Sequence, residues 1–320
     1  MPLPVRWALT LPFNGVALRD HRALVEGAEA VGYDDFWTGE TAGPDGFTPL
    51  ALAAAWTDRV RLGTGVVNAF TRGPAVLAQH ALALQDLSQG RFCLGIGSSS
   101  DVIVERWNGI PFERPRTRVR ETVEFLRAAL AGERAGEGGF KLERPPETPV
   151  PIVIAALRER MLRTAGELGD GAFLNFLPLS NVDQVVGEVR AGETEPGRVE
   201  TFCRFFCLQG DPDETRGLAR WMFCAYATVP VYEQFFRWLG YGEALDPMVD
   251  AWRAGERQKA LEAAPDELIE EIFVLGEPAA QRERLEAYSE RGVDVPVLLI
   301  VGPQGADSYG AAVESLAPAG

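Results

Sequence analysis

The strongest constraint on the fold is a rhythm. Eight β-rich runs alternate with helical sequence: Val5–Phe13, Asp35–Thr38, Arg61–Asn68, Phe92–Gly97, Pro151–Ala156, Gly171–Phe176, Val199–Leu208 and Val295–Val301. Helical stretches at Asp20–Val31, Thr48–Thr57, Pro74–Ser88, Thr117–Leu130, Glu159–Leu168, Asn181–Arg190 and Pro278–Arg291 fall between them. Strands that alternate with helices pair in parallel through right-handed crossovers. Eight such units favour closure into a (β/α)8 TIM barrel over an open, doubly wound sheet. The punctuation agrees: Gly32 and Gly90 follow helical stretches, and Pro74 opens one. A Gly-, Glu- and Pro-rich loop, Ala131–Pro149, interrupts the rhythm, but the rhythm then resumes, so residues 1–320 read as a single domain. Residues 211–271 are mostly helical and aromatic-rich. They read as an insertion before the last strand, either a lid or an oligomer face.

Composition narrows the function. Of the 320 residues, 46% are hydrophobic and 24% charged, an ordinary globular balance. The formal charge of −15 repels phosphate backbones and anionic lipid, which argues against nucleic acid or a membrane surface as partner. No apolar run reaches the ~20 residues that span a bilayer. The start, Met1 to Trp7, lacks a basic segment followed by an apolar one, so the expected location is the cytoplasm. The four cysteines, Cys93, Cys203, Cys207 and Cys224, form no CxxC pair and read as reduced, buried thiols. With only His21 and His80 beside them, no zinc site is expected.

In a barrel of this kind the chemistry sits at the C-terminal ends of the strands. The third run ends in Gly63-Thr64-Gly65-Val66-Val67-Asn68. The fourth ends in Gly95-Ile96-Gly97-Ser98-Ser99-Ser100, a GxGxxS that only partly matches a dinucleotide fingerprint. Its small residues let the backbone approach a phosphate or a ring edge, although a plain tight turn reads equally well. The fifth ends in Ala155-Ala156-Leu157-Arg158, just ahead of a helix. Free N–H groups there suit an anion and Arg158 adds a charge; the alternative is an ordinary turn with a solvent-facing Arg. Glu40 is the titratable residue at an early strand end. It either manages a proton, with Thr38 beside it, or hydrogen-bonds a neighbouring loop. Neither histidine falls at a strand end; a surface or interface role is expected for both. No GxSxG elbow and no GxxxxGK[ST] loop occurs, which disfavours Ser-His hydrolysis and P-loop nucleotide chemistry.

Two longer stretches carry a family resemblance. One is RLGTGVVNAFTRGPAVLAQHALALQDLSQGRFCLGIGSSS, from Arg61, followed by WNGIPFERPRTRVRETVEFLRAAL up to Leu130. The other is IVIAALRERMLRTAGELGDGAFLNF, Ile152 to Phe176. Together they resemble the bacterial luciferase-like superfamily, in particular its oxidoreductases that use the deazaflavin coenzyme F420. The resemblance implies the barrel with an insertion, usually as a homodimer. It also implies a bulge at the end of the third strand, often with a non-proline cis peptide, behind the tricyclic ring. That peptide would lie around Gly65, Val66 and Val67, with Asn68 near the polar edge of the ring. Gly97, Ser98 and Ser99 would form the other cofactor loop, and Ala155, Ala156, Leu157 and Arg158 would contact phosphate. The sugar-phosphate dehydrogenases of that family carry Asp-His at the end of the second strand. Gly39-Glu40 stands here instead, which puts that activity in doubt and leaves Glu40, with Thr38, as the candidate catalytic pair.

The function expected on this basis is hydride transfer between F420 and an unidentified small organic substrate. An FMN-dependent monooxygenase of the same fold is the alternative, and a non-catalytic ligand-binding barrel is a second one. The aromatics Trp221, Phe235, Phe236 and Trp238 of the insertion suit an apolar lid or ordinary core packing; both stay open.

Overall fold

The computed structural model describes residues 6–318. Among them, nine strand segments form one parallel sheet: β1 (Ala8–Leu11), β2 (Asp35–Thr38), β3 (Arg61–Thr64), β4 (Val67–Asn68), β5 (Phe92–Gly97), β6 (Ile152–Ala155), β7 (Gly171–Asn175), β8 (Glu200–Leu208) and β9 (Val295–Val301). Neighbours run β3-β2-β1-β9-β8-β7-β6-β5-β4, and β3 also pairs with β5, so the sheet closes on itself. Segments β3 and β4 are two halves of one stave, which makes eight staves and a TIM barrel. The first run is shorter than Val5–Phe13: β1 stops at Leu11, before a cis Leu11–Pro12 bond, and Val5 lies outside the described residues.

Helices α1 (Arg22–Ala30), α2 (Thr48–Trp56), α3 (Pro74–Leu87), α4 (Pro115–Leu130), α5 (Glu159–Leu168) and α6 (Val182–Gly192) surround the first seven staves. The insertion is five helices, α7 (Pro212–Ala227), α8 (Pro230–Trp238), α9 (Gly242–Arg253), α10 (Arg257–Glu262) and α11 (Asp266–Ile272). Then α12 (Pro278–Glu290) precedes β9, and α13 (Gly305–Ser315) follows it. Pro sits in the first turn of several of these helices, where its missing N–H is no loss. Asp211 also caps α7, accepting from Asp213 N at 2.9 Å and Glu214 N at 3.2 Å.

Side chains alternate across each stave, which sorts the core into two shells. The outer shell, between strands and helices, takes Leu9, Phe36, Leu62, Leu94, Ile154, Leu174 and Phe205. The inner shell fills the barrel with Ala8, Trp37, Cys93, Val153, Phe173, Phe202, Val295 and Val297. Trp37 packs on Phe202 at 4.6 Å and on Phe173 at 5.3 Å, so aromatic rings plug the middle of the barrel. Below the plug, at the N-terminal ends of the staves, Arg61 pairs with Asp35 and with Glu200, the latter at 2.8 Å. That closed charge network belongs to the end of a TIM barrel that serves stability. All four cysteines are buried and free, and burial pushes the Cys93 thiol up to about 12.

Candidate active site

The C-terminal mouth is shaped by a counting mismatch in the third stave. Gly63 is opposite Cys93 in the β3–β5 pairing, an offset of 30. Val67 is opposite Ile96 in the β4–β5 pairing, an offset of 29. Thr64, Gly65 and Val66 therefore span the distance that Leu94 and Gly95 cover in the partner, which makes the segment a β-bulge. The Gly65–Val66 peptide within it is cis. Gly65 N donates to Thr38 O, and Thr64 Oγ1 donates to Gly95 O at 2.7 Å, so the bulge is tied to both neighbouring staves.

Small residues make room for the bulge. A Cβ on Gly95 would land on the Thr64 carbonyl oxygen. A Cβ on Gly97 would sit 2.9 Å from Val66 Cγ2 and 3.0 Å from the Ala155 methyl. Val66, Gly97 and Ala155 thus meet, which joins the ends of three adjacent staves. Val66 is half-buried and faces this meeting point, whereas Val67 is fully buried against Gly46 behind it. Asn68 is buried; its Oδ1 accepts from Phe70 N at 3.1 Å and Thr71 N at 2.8 Å, which fixes the loop after β4. Ser98 and Ser99 are half-buried, and Ser99 has φ 63°. The turn there leads not into an α-helix but into a six-residue π-helix, Val102–Trp107. Such wide turns recur at functional sites. Ala156 is buried, with its N–H given to Phe173 O at 3.1 Å; Leu157 is half-buried and Arg158 is exposed at the start of α5.

Glu40 and Thr38 meet through one residue. The Thr38 hydroxyl donates to Gly46 O at 2.6 Å, and Gly46 N donates to Glu40 Oε1 at 3.1 Å. Thr38 has the outward parity of Phe36, so it is fully buried and grips the loop from behind. Arg72, from the loop after β4, pairs with Glu40 at 2.5 Å and lies 5.1 Å over the Phe47 ring. Glu40 and Arg72 lace the loops after β2 and β4 together over the bulge.

Sequence reading singled out neither Arg72 nor the most unusual residue of the mouth, Arg204. Arg204 lies on β8 with the inward parity of Phe202. Its Nε donates to Thr10 Oγ1 at 3.3 Å, and its guanidinium carbon is 5.2 Å from the Phe173 ring centroid. Nη1 is 3.3 Å from where a Cβ of Gly39 would be, and Nη2 is 3.2 Å from where one of Gly65 would be. Arg204 therefore crosses the barrel above the aromatic plug and forms the floor of the mouth. The available signal was a lone charge in the apolar run Phe202-Cys203-Arg204-Phe205-Phe206.

The insertion supplies the far wall. Tyr226 of α7 and Tyr232 of α8 pack on Phe176, just past β7, at 4.8 and 5.1 Å. Phe235 and Phe236 are buried in the insertion's own core, and Trp221 is exposed. Neither histidine lines the mouth. His21, expected at a surface or interface, is buried: its Nε2 accepts from Phe13 N at 2.8 Å and its ring stacks on Phe13. His80 stacks on Phe47 at 4.4 Å. Among the described residues, no three His, Cys, Asp or Glu side chains gather as a metal site, and no helix is long and apolar enough to cross a membrane.

Known proteins share this architecture. The chain is 28% identical over 329 aligned residues to a Mycobacterium tuberculosis protein provisionally named a coenzyme F420-dependent oxidoreductase; the match covers 88% of this chain and 90% of that one. It is 29% identical to the 5,10-methylenetetrahydromethanopterin reductase of Archaeoglobus fulgidus, over 83% of this chain and 85% of the reductase. The solved coenzyme F420-dependent tetrahydromethanopterin reductase of Methanopyrus kandleri superposes with a TM-score of 0.79 over 98% of both chains, at 20% identity. The model of one family, described as luciferase-like monooxygenase, matches residues 7–295. A match of that length, on a closed barrel with a bulged third stave, places the chain in the luciferase-like monooxygenase family.

Proposed function

We propose that this protein is an oxidoreductase that binds coenzyme F420 in the mouth of the barrel and exchanges a hydride with a small organic substrate. The bulge carries this reading. It offers a firm, flat, apolar support at Val66, with Gly95 and Gly97 cleared of side chains beside it. A planar ring needs such a backing, and the residues present fit one. Two curated relatives of nearly full length have names that refer to F420 or to a methanopterin reductase.

In this reading Gly65, Val66 and Val67 back the ring and Asn68 holds the adjoining loop. Gly97, Ser98 and Ser99 take one side of the cofactor. Ala155, Ala156, Leu157 and Arg158 take its phosphate, with the free N–H groups of α5 turned toward the anion. The bound cofactor supplies the hydride chemistry. The protein supplies orientation and the proton. Glu40 is the residue that manages that proton, with its carboxylate paired to Arg72. Thr38 acts through Gly46: by gripping the Gly46 carbonyl it keeps the Gly46 N–H aimed at Glu40. The chain acts as one domain, 1–320, with the insertion about 211–271 walling the substrate side. We infer a cytoplasmic homodimer without nucleic-acid or membrane partners, testable by light scattering on the purified protein.

The deciding experiment is a fluorescence titration of the purified protein with F420 and with FMN in parallel. Micromolar binding of F420 is expected. Tight binding of FMN with none of F420 overturns the proposal in favour of a monooxygenase. Binding of neither leaves a non-catalytic barrel.

A further inference from the structure

The two internal arginines of the barrel are treated in opposite ways. Arg61, below the aromatic plug, is held by Asp35 and Glu200. Arg204, above it on the same face of β8 as Glu200, has no carboxylate partner among the described residues. Its Nη2 is buried and makes no hydrogen bond. The ionisable groups close enough to act on it are Tyr232, Tyr226 and Cys203. Burial pushes all three upward, Tyr232 to about 12, so none is an anion at neutral pH.

An unpaired buried cation is costly and persists in a fold only where something else needs it. Its position says what. Arg204 is at the C-terminal end, where barrels carry chemistry, and it lies under Gly65 of the bulge. The neighbours add hydrogen-bonding capacity without charge: Thr10 on one side, and on the other Tyr226 and Tyr232, brought in by the insertion. A neutral carbonyl would leave the positive charge uncompensated. A carboxylate neutralises it, and its two oxygens match the planar fork of a guanidinium. The aromatic surroundings of Phe173, Phe176 and the two tyrosines suit a flat organic body.

We propose that Arg204, with Tyr226 and Tyr232 of the helical insertion, binds a carboxylate of the substrate, so that the enzyme acts on a small organic acid. This rests on the proposed oxidoreductase only for the reaction; the binding itself does not need the cofactor.

The test is calorimetric titration of the cofactor-free protein with benzoate, with benzamide as its neutral analogue, and with inorganic phosphate, all at one ionic strength. Wild type is expected to bind benzoate at least tenfold more tightly than benzamide. Arg204→Met should lose that preference, and Arg204→Lys should keep part of it. Tyr232→Phe, which leaves the charge in place, should weaken benzoate a few-fold. Circular dichroism confirms that each variant is folded. Benzoate binding that survives in Arg204→Met, or its absence in wild type, overturns the assignment. So does an Arg204-dependent response to phosphate alone. F420 titration of the same variants separates this from the proposed function. Loss of F420 affinity in Arg204→Met would assign the guanidinium to the cofactor instead. Arg204-dependent benzoate binding in a wild type that ignores F420 would sink the cofactor and leave the acid site standing.

Discussion

Replacing Arg204 with Met should make the cofactor-free protein more stable, although it removes a charged residue from the centre of the mouth. Burial lowers the guanidinium from 12.5 to about 10. At ~1.4 kcal/mol per tenfold change, that is a penalty of about 3 kcal/mol on the charged form. The contact with the Phe173 ring and the bond to Thr10 each return about 1 kcal/mol. Met keeps the length of the stem and places no polar atom beside Gly39 or Gly65. The expected gain is about 1–2 kcal/mol, within the range seen when buried ions are replaced by apolar side chains. Urea denaturation reads it as a higher midpoint with an unchanged slope. A pH series adds a signature. The folded guanidinium titrates below the unfolded one, so above about pH 10 the unfolded wild type binds more protons than the folded, and wild-type stability rises relative to the variant. The advantage of Arg204→Met should therefore be constant from pH 7 to 9 and shrink between pH 10 and 12. A variant less stable than wild type by more than 1 kcal/mol at pH 7 would refute the reasoning, because it would mean that the charge is compensated in the folded protein.

Arg61→Met makes the opposite test at the other end of the barrel. It leaves the buried Asp35 with only Arg6 at 3.9 Å and the Trp37 indole N–H at 3.4 Å, so a loss of about 3 kcal/mol in the same denaturation assay is expected. Gly95→Ala pushes a methyl onto the Thr64 carbonyl of the bulge; a loss of about 1–3 kcal/mol and at least tenfold weaker F420 binding should appear together, since both follow from displacing the bulge. Glu40→Gln, in an F420-coupled turnover assay once a substrate is in hand, should lower kcat by about 10²-fold or more with F420 affinity kept, if the carboxyl handles the proton. Thr38→Val should reproduce a smaller part of that kcat loss and cost about 1 kcal/mol of stability, through the freed Gly46 loop.

The barrel was readable because its signals are local. Period-2 and period-3.6 patterning, with Gly and Pro at the joints, marked eight staves and most helices within a few residues. The segment Arg61–Asn68 read as one strand, and locally it is one. The bulge exists only in the comparison of two offsets along β5, and a single sequence cannot supply that comparison. The glycines that accommodate it, Gly95 and Gly97, were legible as small residues, but the Thr64 oxygen that requires Gly95 was not. Helix α13 was missed because Gly305, Gly310 and two serines blunt its periodicity, and it gains its order from packing against α1; Tyr33 reaches into it, donating to Val313 O at 3.1 Å. In the insertion, residue type left a lid and core packing both open. The wholly apolar Phe235 and Phe236 form its core, whereas Tyr226 and Tyr232, which carry a polar tip on an apolar ring, pack on Phe176 at the end of β7.

The proposed acid site also bears on how a chain of this composition can host an anion. A net charge of −15 repels an organic acid at long range. Yet exposed charges are screened beyond about 8 Å at physiological ionic strength, so the net charge governs encounter at a distance and little inside the mouth. There a desolvated guanidinium interacts with a carboxylate several times more strongly than it would in water, because the surroundings polarise less. The same lack of water that makes Arg204 costly in the free protein makes it selective in the complex. A neutral analogue leaves that charge uncompensated, whereas an anion offsets part of the cost, net of its own desolvation. The acidic surface and the unpaired internal cation are then complementary. The net charge disfavours the approach of anions at long range, and the proposed preference for a small flat acid comes from Arg204 with Tyr226 and Tyr232 beside it.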